Sequence, residues 1–143
     1  MKKQEASFIK TYLDSLDKKD IYFYKIPDNR MTGKKPADVI GWYKNGSGFL
    51  WEFKYHTGTE PFNYSHVTEL QRQNLKDAKS RGGEAMLILG VGFTLTAAEQ
   101  WKLKCKAKRI NFVIGWDIDE FLELTKKDRS FNIKEAIKER YGK

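Results

Sequence analysis

The sequence has one cysteine, Cys105, so it can form neither an internal disulfide nor a thiolate metal site. Its two histidines, His56 and His66, have no carboxylate or cysteine partner at ligand spacing, and zinc binding is not expected. The longest apolar stretch, Met86–Val91, is far too short to span a bilayer. From Met1 the chain enters an amphipathic pattern without the long apolar segment of a signal peptide; a reducing, cytoplasmic setting with no membrane partner is expected. Repeats and low-complexity runs are absent. Acidic residues are in deficit, 19 against 27 Lys plus Arg, for a net charge of +8. That balance points to a polyanionic partner, although a basic domain can have none; on charge alone the two readings stand level. Hydrophobic residues at 40% and aromatics at 14% exclude a disordered chain and suffice for one core, so residues 1–143 are read as a single domain.

Apolar periodicity sets the elements. Residues 4–16 read as a helix, with Phe8, Ile9, Tyr12, Leu13 and Leu16 at helical spacing. Residues 22–26 read as a strand, followed by a loop between Pro27 and Pro36. Residues 37–43 and 49–55 read as a hairpin turned at Asn45-Gly46. After a second loop, residues 67–80 read as a helix stopped by Gly82-Gly83, and residues 84–90 as a buried strand. Thr96/Glu99, Asp117/Glu120 and Asn132/Glu135 each suit a helix start, and residues 111–115 read as a strand. The order predicts an α/β domain with a mixed central sheet flanked by helices.

Strands alternate faces, so Glu52 and Lys54 share one side of the return strand, and Phe49, Trp51, Phe53 and Tyr55 share the other. Alone, Glu-x-Lys is a weak signal that an ordinary ion pair would also produce. Asp38 strengthens it, because an antiparallel hairpin brings Asp38 to the Glu52–Lys54 end of its partner strand. Two adjacent carboxylates are costly unless a cation neutralises them, and hard oxygen ligands suit Mg²⁺ or Mn²⁺. On the helix at 67–80 the apolar face is read as Val67, Leu70, Leu75 and Ala78, with Gln71 on it; a glutamine there needs a partner. Glu5 shares the inward stripe of the first helix, where it serves either the site or the helix dipole.

Pro36-x-Asp38 followed by Glu52-x-Lys54 resembles the PD-(D/E)xK nuclease motif in its hairpin setting. Asp38-Val39-Ile40-Gly41-Trp42-Tyr43-Lys44, Glu52-Phe53-Lys54, Phe62, Gln71 and Gly82-Gly83 extend the likeness to the RecU-type Holliday junction resolvases, in a short, phage-like form, over residues 36–90. The resemblance implies a restriction-endonuclease-like core and a magnesium site. It also implies a homodimer that cuts both strands of branched DNA in a bacterial or phage-infected cell. By the same resemblance Asp38, Glu52 and the Phe53 backbone carbonyl are metal ligands, Lys54 positions the attacking water, Gln71 supports the site, and Glu5 corresponds to a first-helix acid. Ala37 departs from the pattern, standing where those resolvases carry a hydroxyl residue.

Arg30, Lys34 and Lys35 lie just before Asp38 and are expected to contact phosphates. Lys102, Lys104, Lys106, Lys108 and Arg109 form a second basic run, read equally as DNA contact or as a solvated helix end. Phe62 and Tyr64 in the second loop either stack on splayed bases or enter the core. Trp42, Trp51, Trp101 and Trp116 are expected in the core. The leading expectation is a Mg²⁺-dependent, structure-selective DNA endonuclease. The alternatives are a restriction- or repair-type nuclease on linear or damaged duplex, and a non-catalytic DNA-binding protein on the same fold.

Overall fold

Aromatic and β-branched residues at period two build five strands, and helical stripes between them cover the two faces of one sheet. The computed structural model describes residues 3–27 and 35–142. Helix α1 (Lys3–Asp14) leads into β1 (Ile21–Lys25), β2 (Val39–Tyr43) and β3 (Gly48–Thr57), and these strands form an antiparallel meander. A two-residue strand β4 (Phe62–Asn63) and a short 3-10 turn precede α2 (Glu69–Ser80). That helix crosses over to β5 (Glu84–Thr94), which runs parallel to β3. Then follow α3 (Ala97–Lys102), β6 (Arg109–Asp117), α4 (Ile118–Lys127), β7 (Ser130–Phe131) and α5 (Ile133–Tyr141). The sheet order is β1-β2-β3-β5-β6, mixed as expected, and β4 pairs with β7 in a separate ribbon. Among the described residues no helix is long and apolar enough to cross a membrane.

Each turn signal has a physical counterpart. Gly46 has φ +91, and Asn45 Oδ1 accepts from the Ser47 N–H, closing the β2–β3 hairpin. Thr68 caps α2 through a capping box with Gln71, so the helix begins at Glu69 rather than at Val67. Thr96, Asp117 and Asn132 each accept an N–H from the first turn of the helix they precede. Strands β5 and β6 run longer than the apolar runs suggest. They pair from Met86↔Asp117 to Thr94↔Arg109, and the ladder carries polar residues such as Thr94 and Asn111 into sheet structure.

The sheet has two unlike faces. On one, α1 lays Phe8, Ile9, Tyr12 and Leu13 over Phe49, Trp51 and Phe53, an aromatic layer in which Phe49 and Trp51 stack at 4.0 Å. On the other, α2, α4 and α5 close over Leu50, Leu87, Leu89, Phe112 and Trp116. Phe62 and Tyr64 belong to this second core rather than to the surface, at 2% and 5% exposure, which decides between the two expectations for that loop. Trp51 and Trp116 are buried as expected, but Trp42 and Trp101 are not, at 45% and 85% exposure. Trp42 lies on β2 beside the exposed Tyr22 of β1, ring centroids 6.1 Å apart. Trp101 sits on a six-residue helix with no buried residue. Leu70 was also expected on the inward face of α2 and is half exposed; it lies about 140° around the helix from Leu75, whereas Gln71 lies about 40° from it.

Gly41 occupies a tight point. A Cβ there would come within 3.0 Å of both the Tyr22 carbonyl oxygen and the Phe49 ring. Gly41→Ala is expected to destabilise the protein by about 1–3 kcal/mol in urea unfolding, because main chain on one side leaves no room for repacking.

Candidate active site

The hairpin assembles the site. The β2–β3 register pairs Val39 with Trp51, and continuing it by one residue sets Asp38 opposite Glu52. Asp38 follows the loop and enters the ladder through its own N–H, which donates to the Trp51 carbonyl at 3.1 Å. By alternation Asp38, Glu52 and Lys54 share the α2-side face of the sheet, together with Leu50. Both carboxylates are only 3% exposed.

Each is oriented by a specific donor. Asp38 Oδ2 accepts the Phe53 main-chain N–H at 2.8 Å, and Asp38 Oδ1 faces the Lys35 ammonium at 2.8 Å. Glu52 Oε1 accepts from Gln71 Nε2 at 2.9 Å. Gln71 Oε1 meanwhile accepts the Thr68 N–H at 2.9 Å, so one side chain both caps α2 and holds Glu52. Gln71 is thus the partnered glutamine that its place on the inward face of α2 required.

Burial first and the Asp38 charge second push the Glu52 carboxyl up to about 8, the Lys54 and Lys35 ammoniums offsetting them only in part. Glu5, at the start of α1, is raised chiefly by burial, while Lys54 and the Tyr55 main-chain N–H hold it down. Glu5 thus feels both the Lys54 ammonium, which favours its charge, and Asp38, which opposes it. Asp38, Glu52, Lys54, Gln71 and Glu5 therefore form one coupled cluster. Arg30 and Lys34 fall outside the described residues. Lys35 pairs directly with Asp38. That ion pair and the Phe53 N–H bond escape sequence pattern, because they depend on how the loop enters β2.

Among the described residues no group of three or more His, Cys, Asp or Glu side chains stands ready to hold an ion. Asp38 and Glu52 are two buried carboxylates set opposite each other, and such hard oxygen donors suit Mg²⁺ or Mn²⁺ rather than zinc. The Glu52 carboxyl, almost out of water beside a second carboxylate, is held well above its ordinary range, and added positive charge favours its ionised form. The residues present fit a divalent cation on that ground.

No protein-family model matches the chain, and no curated protein matches it in sequence.

The Glu52 carboxyl binds its proton more tightly folded than unfolded, from an ordinary value of 4.5 up to about 8. Its contribution to stability is therefore lost as pH rises through that window, and levels off above it. Glu52→Gln is expected to remove this slope in chelator and to raise stability at pH 9 by a few kcal/mol, as measured by denaturant unfolding across the window.

Proposed function

We propose that this chain is a Mg²⁺- or Mn²⁺-dependent endodeoxyribonuclease on a restriction-endonuclease-like core, acting on branched DNA in the manner of a Holliday junction resolvase. The buried Asp38–Glu52 pair, with Lys54 on the same face, carries this reading. A protein that only binds DNA gains nothing from two buried carboxylates held side by side where a polyanion must approach.

Asp38 and Glu52 would hold the ion, with the Phe53 carbonyl as a third oxygen. A divalent ion in that place supplies neutralisation of phosphate charge and acidification of the attacking water. The chain's own residues do the rest. The Phe53 N–H and Gln71 Nε2 fix the two carboxylates before substrate arrives, so little reorganisation remains for the reaction. Lys54 Nζ donates to the attacking water, orients it, and stabilises the charge that grows on the phosphorane. Glu5 acts through Lys54, holding the ammonium at the pocket by attraction. Lys35 offsets the Asp38 charge and is placed to meet a phosphate oxygen in its stead. The products are a 5′-phosphate and a 3′-hydroxyl, as in the resolvases that the motif resembles. A homodimer of that kind presents one such site to each strand.

With Mg²⁺ the purified protein should nick a synthetic four-way junction. Lys54→Ala should bind the junction with near-native affinity and cut it at least about 100-fold more slowly. Cleavage confined to plain duplex at one sequence would move the reading to a restriction-type enzyme. No cleavage of junction, flap or duplex with either ion would overturn it in favour of a binding protein.

Gln71→Ala is expected to lower cutting by about tenfold or more, and also to weaken Mg²⁺ binding in calorimetry, because Glu52 loses the amide that orients it.

A further inference from the structure

From the last residue of α3 to the first of β6, the eight positions 102–109 carry five cations and no acid. Leu103 and Cys105 turn inward and pack on the core, which leaves Lys102, Lys104 and Lys106 exposed on the outside. Trp101, one position upstream, is 85% exposed, more than any other large hydrophobic residue described. A shallow groove of about 710 Å³ runs beside it, lined by Gln100, Trp101, Lys102, Lys104 and Lys106.

Main-chain bonds hold this turn in place. The Lys104 N–H donates to the Trp101 carbonyl at 3.2 Å and the Cys105 N–H to the Gln100 carbonyl at 2.9 Å. Gln100 Nε2 adds a bond to the Lys106 carbonyl at 3.2 Å. Helix α2 ends with the same two main-chain bonds, Gly82 to Lys79 and Gly83 to Ala78. There the left-handed residue is Gly82, φ +90; here it is Lys104, φ +55. An L side chain in this conformation is strained, and glycine is the usual occupant. At position 104 the backbone favours glycine, and the ammonium is what glycine would lack.

We propose that Trp101 and the Lys102–Lys106 turn form a nucleic-acid contact separate from the carboxylate pocket. The ammoniums take backbone phosphates and the indole takes an unstacked base. This inference rests on the DNA reading above. Since β3 and β5 are parallel, with Lys54 beside Leu89, the turn that follows Thr94 lies toward the same end of the sheet as Lys54, about 15–20 Å further along. An unpaired strand leaving the pocket in that direction meets the turn within a few nucleotides. An anionic membrane is the other polyanion to consider. One indole on a helix with no buried residue offers little apolar area for insertion, which favours nucleic acid.

The test measures binding of the full chain, in chelator, to a 5′-labelled oligothymidine and to a four-way junction across a salt series. Replacing Lys102, Lys104 and Lys106 together by Gln should lower the salt slope of log affinity by about 2–3. Trp101→Ala should weaken oligothymidine binding about tenfold and leave the slope unchanged. Lys104→Gly should raise the melting temperature by about 2–4 °C while weakening binding, opposite signs that a purely structural lysine would not give. Unchanged affinity and slope in all three variants overturn the proposal. So does lost binding to phosphatidylserine vesicles with DNA binding intact. Cleavage assays keep the two readings apart. If the wild type cuts no DNA while these variants lose binding, the nuclease assignment falls and the contact stands. If cutting depends on Asp38 while these variants bind normally, the contact falls alone.

Discussion

Burial of Asp38 and Glu52 side by side is the constraint that the rest of the molecule accommodates. Two carboxylates on adjacent strands, each almost removed from water, cannot both ionise cheaply. The surroundings answer with partial remedies: a main-chain N–H and a lysine for Asp38, an amide and a nearby ammonium for Glu52. The Glu52 carboxyl nevertheless stays far above its ordinary range. A fold that needed only stability would replace such a pair with apolar side chains of similar volume. Added positive charge at that point turns the cost into affinity, which links the electrostatics of the pocket to the proposed chemistry.

The sheet divides the labour between its faces. The α1 side is an aromatic layer, with Phe8 and Tyr12 packed on Trp51 and Phe53, and it supports β3 from behind. Tyr43 and Trp51 both donate to Glu84, tying β2, β3 and β5 together away from the pocket. The α2 side carries the polar cluster. Stiff packing behind β3 fixes the direction in which Glu52 and Lys54 project, and positioning of that order is what a reacting site requires. Gln71 joins the two tasks, since the same side chain caps α2 and orients Glu52.

The surface extends the argument. Tyr22 and Trp42 are exposed on the pocket's face of the sheet, and Trp101 stands in a basic turn at its end. Large aromatics left in water forgo burial that elsewhere in the chain stabilises the fold. Together with the net charge of +8, the last of these rings is the surface feature on which the proposed nucleic-acid contact rests.

The α/β class, the hairpin at Asn45-Gly46 and the gathering of Asp38, Glu52 and Lys54 were legible in sequence, because period-two alternation and turn chemistry are local properties of the chain. So were the helix starts at Thr96, Asp117 and Asn132, whose side chains bond within their own first turn. Tertiary structure alone decided which aromatics are covered: Phe62 and Tyr64 found partners in the second core, while Trp42 and Trp101 did not. It also decided the length of β5 and β6, the pairing of β4 with β7, and the ion pair between Lys35 and Asp38. Sequence pattern records which side of an element a residue occupies; whether anything lies opposite that side depends on chain segments far away in sequence, and no local period encodes them.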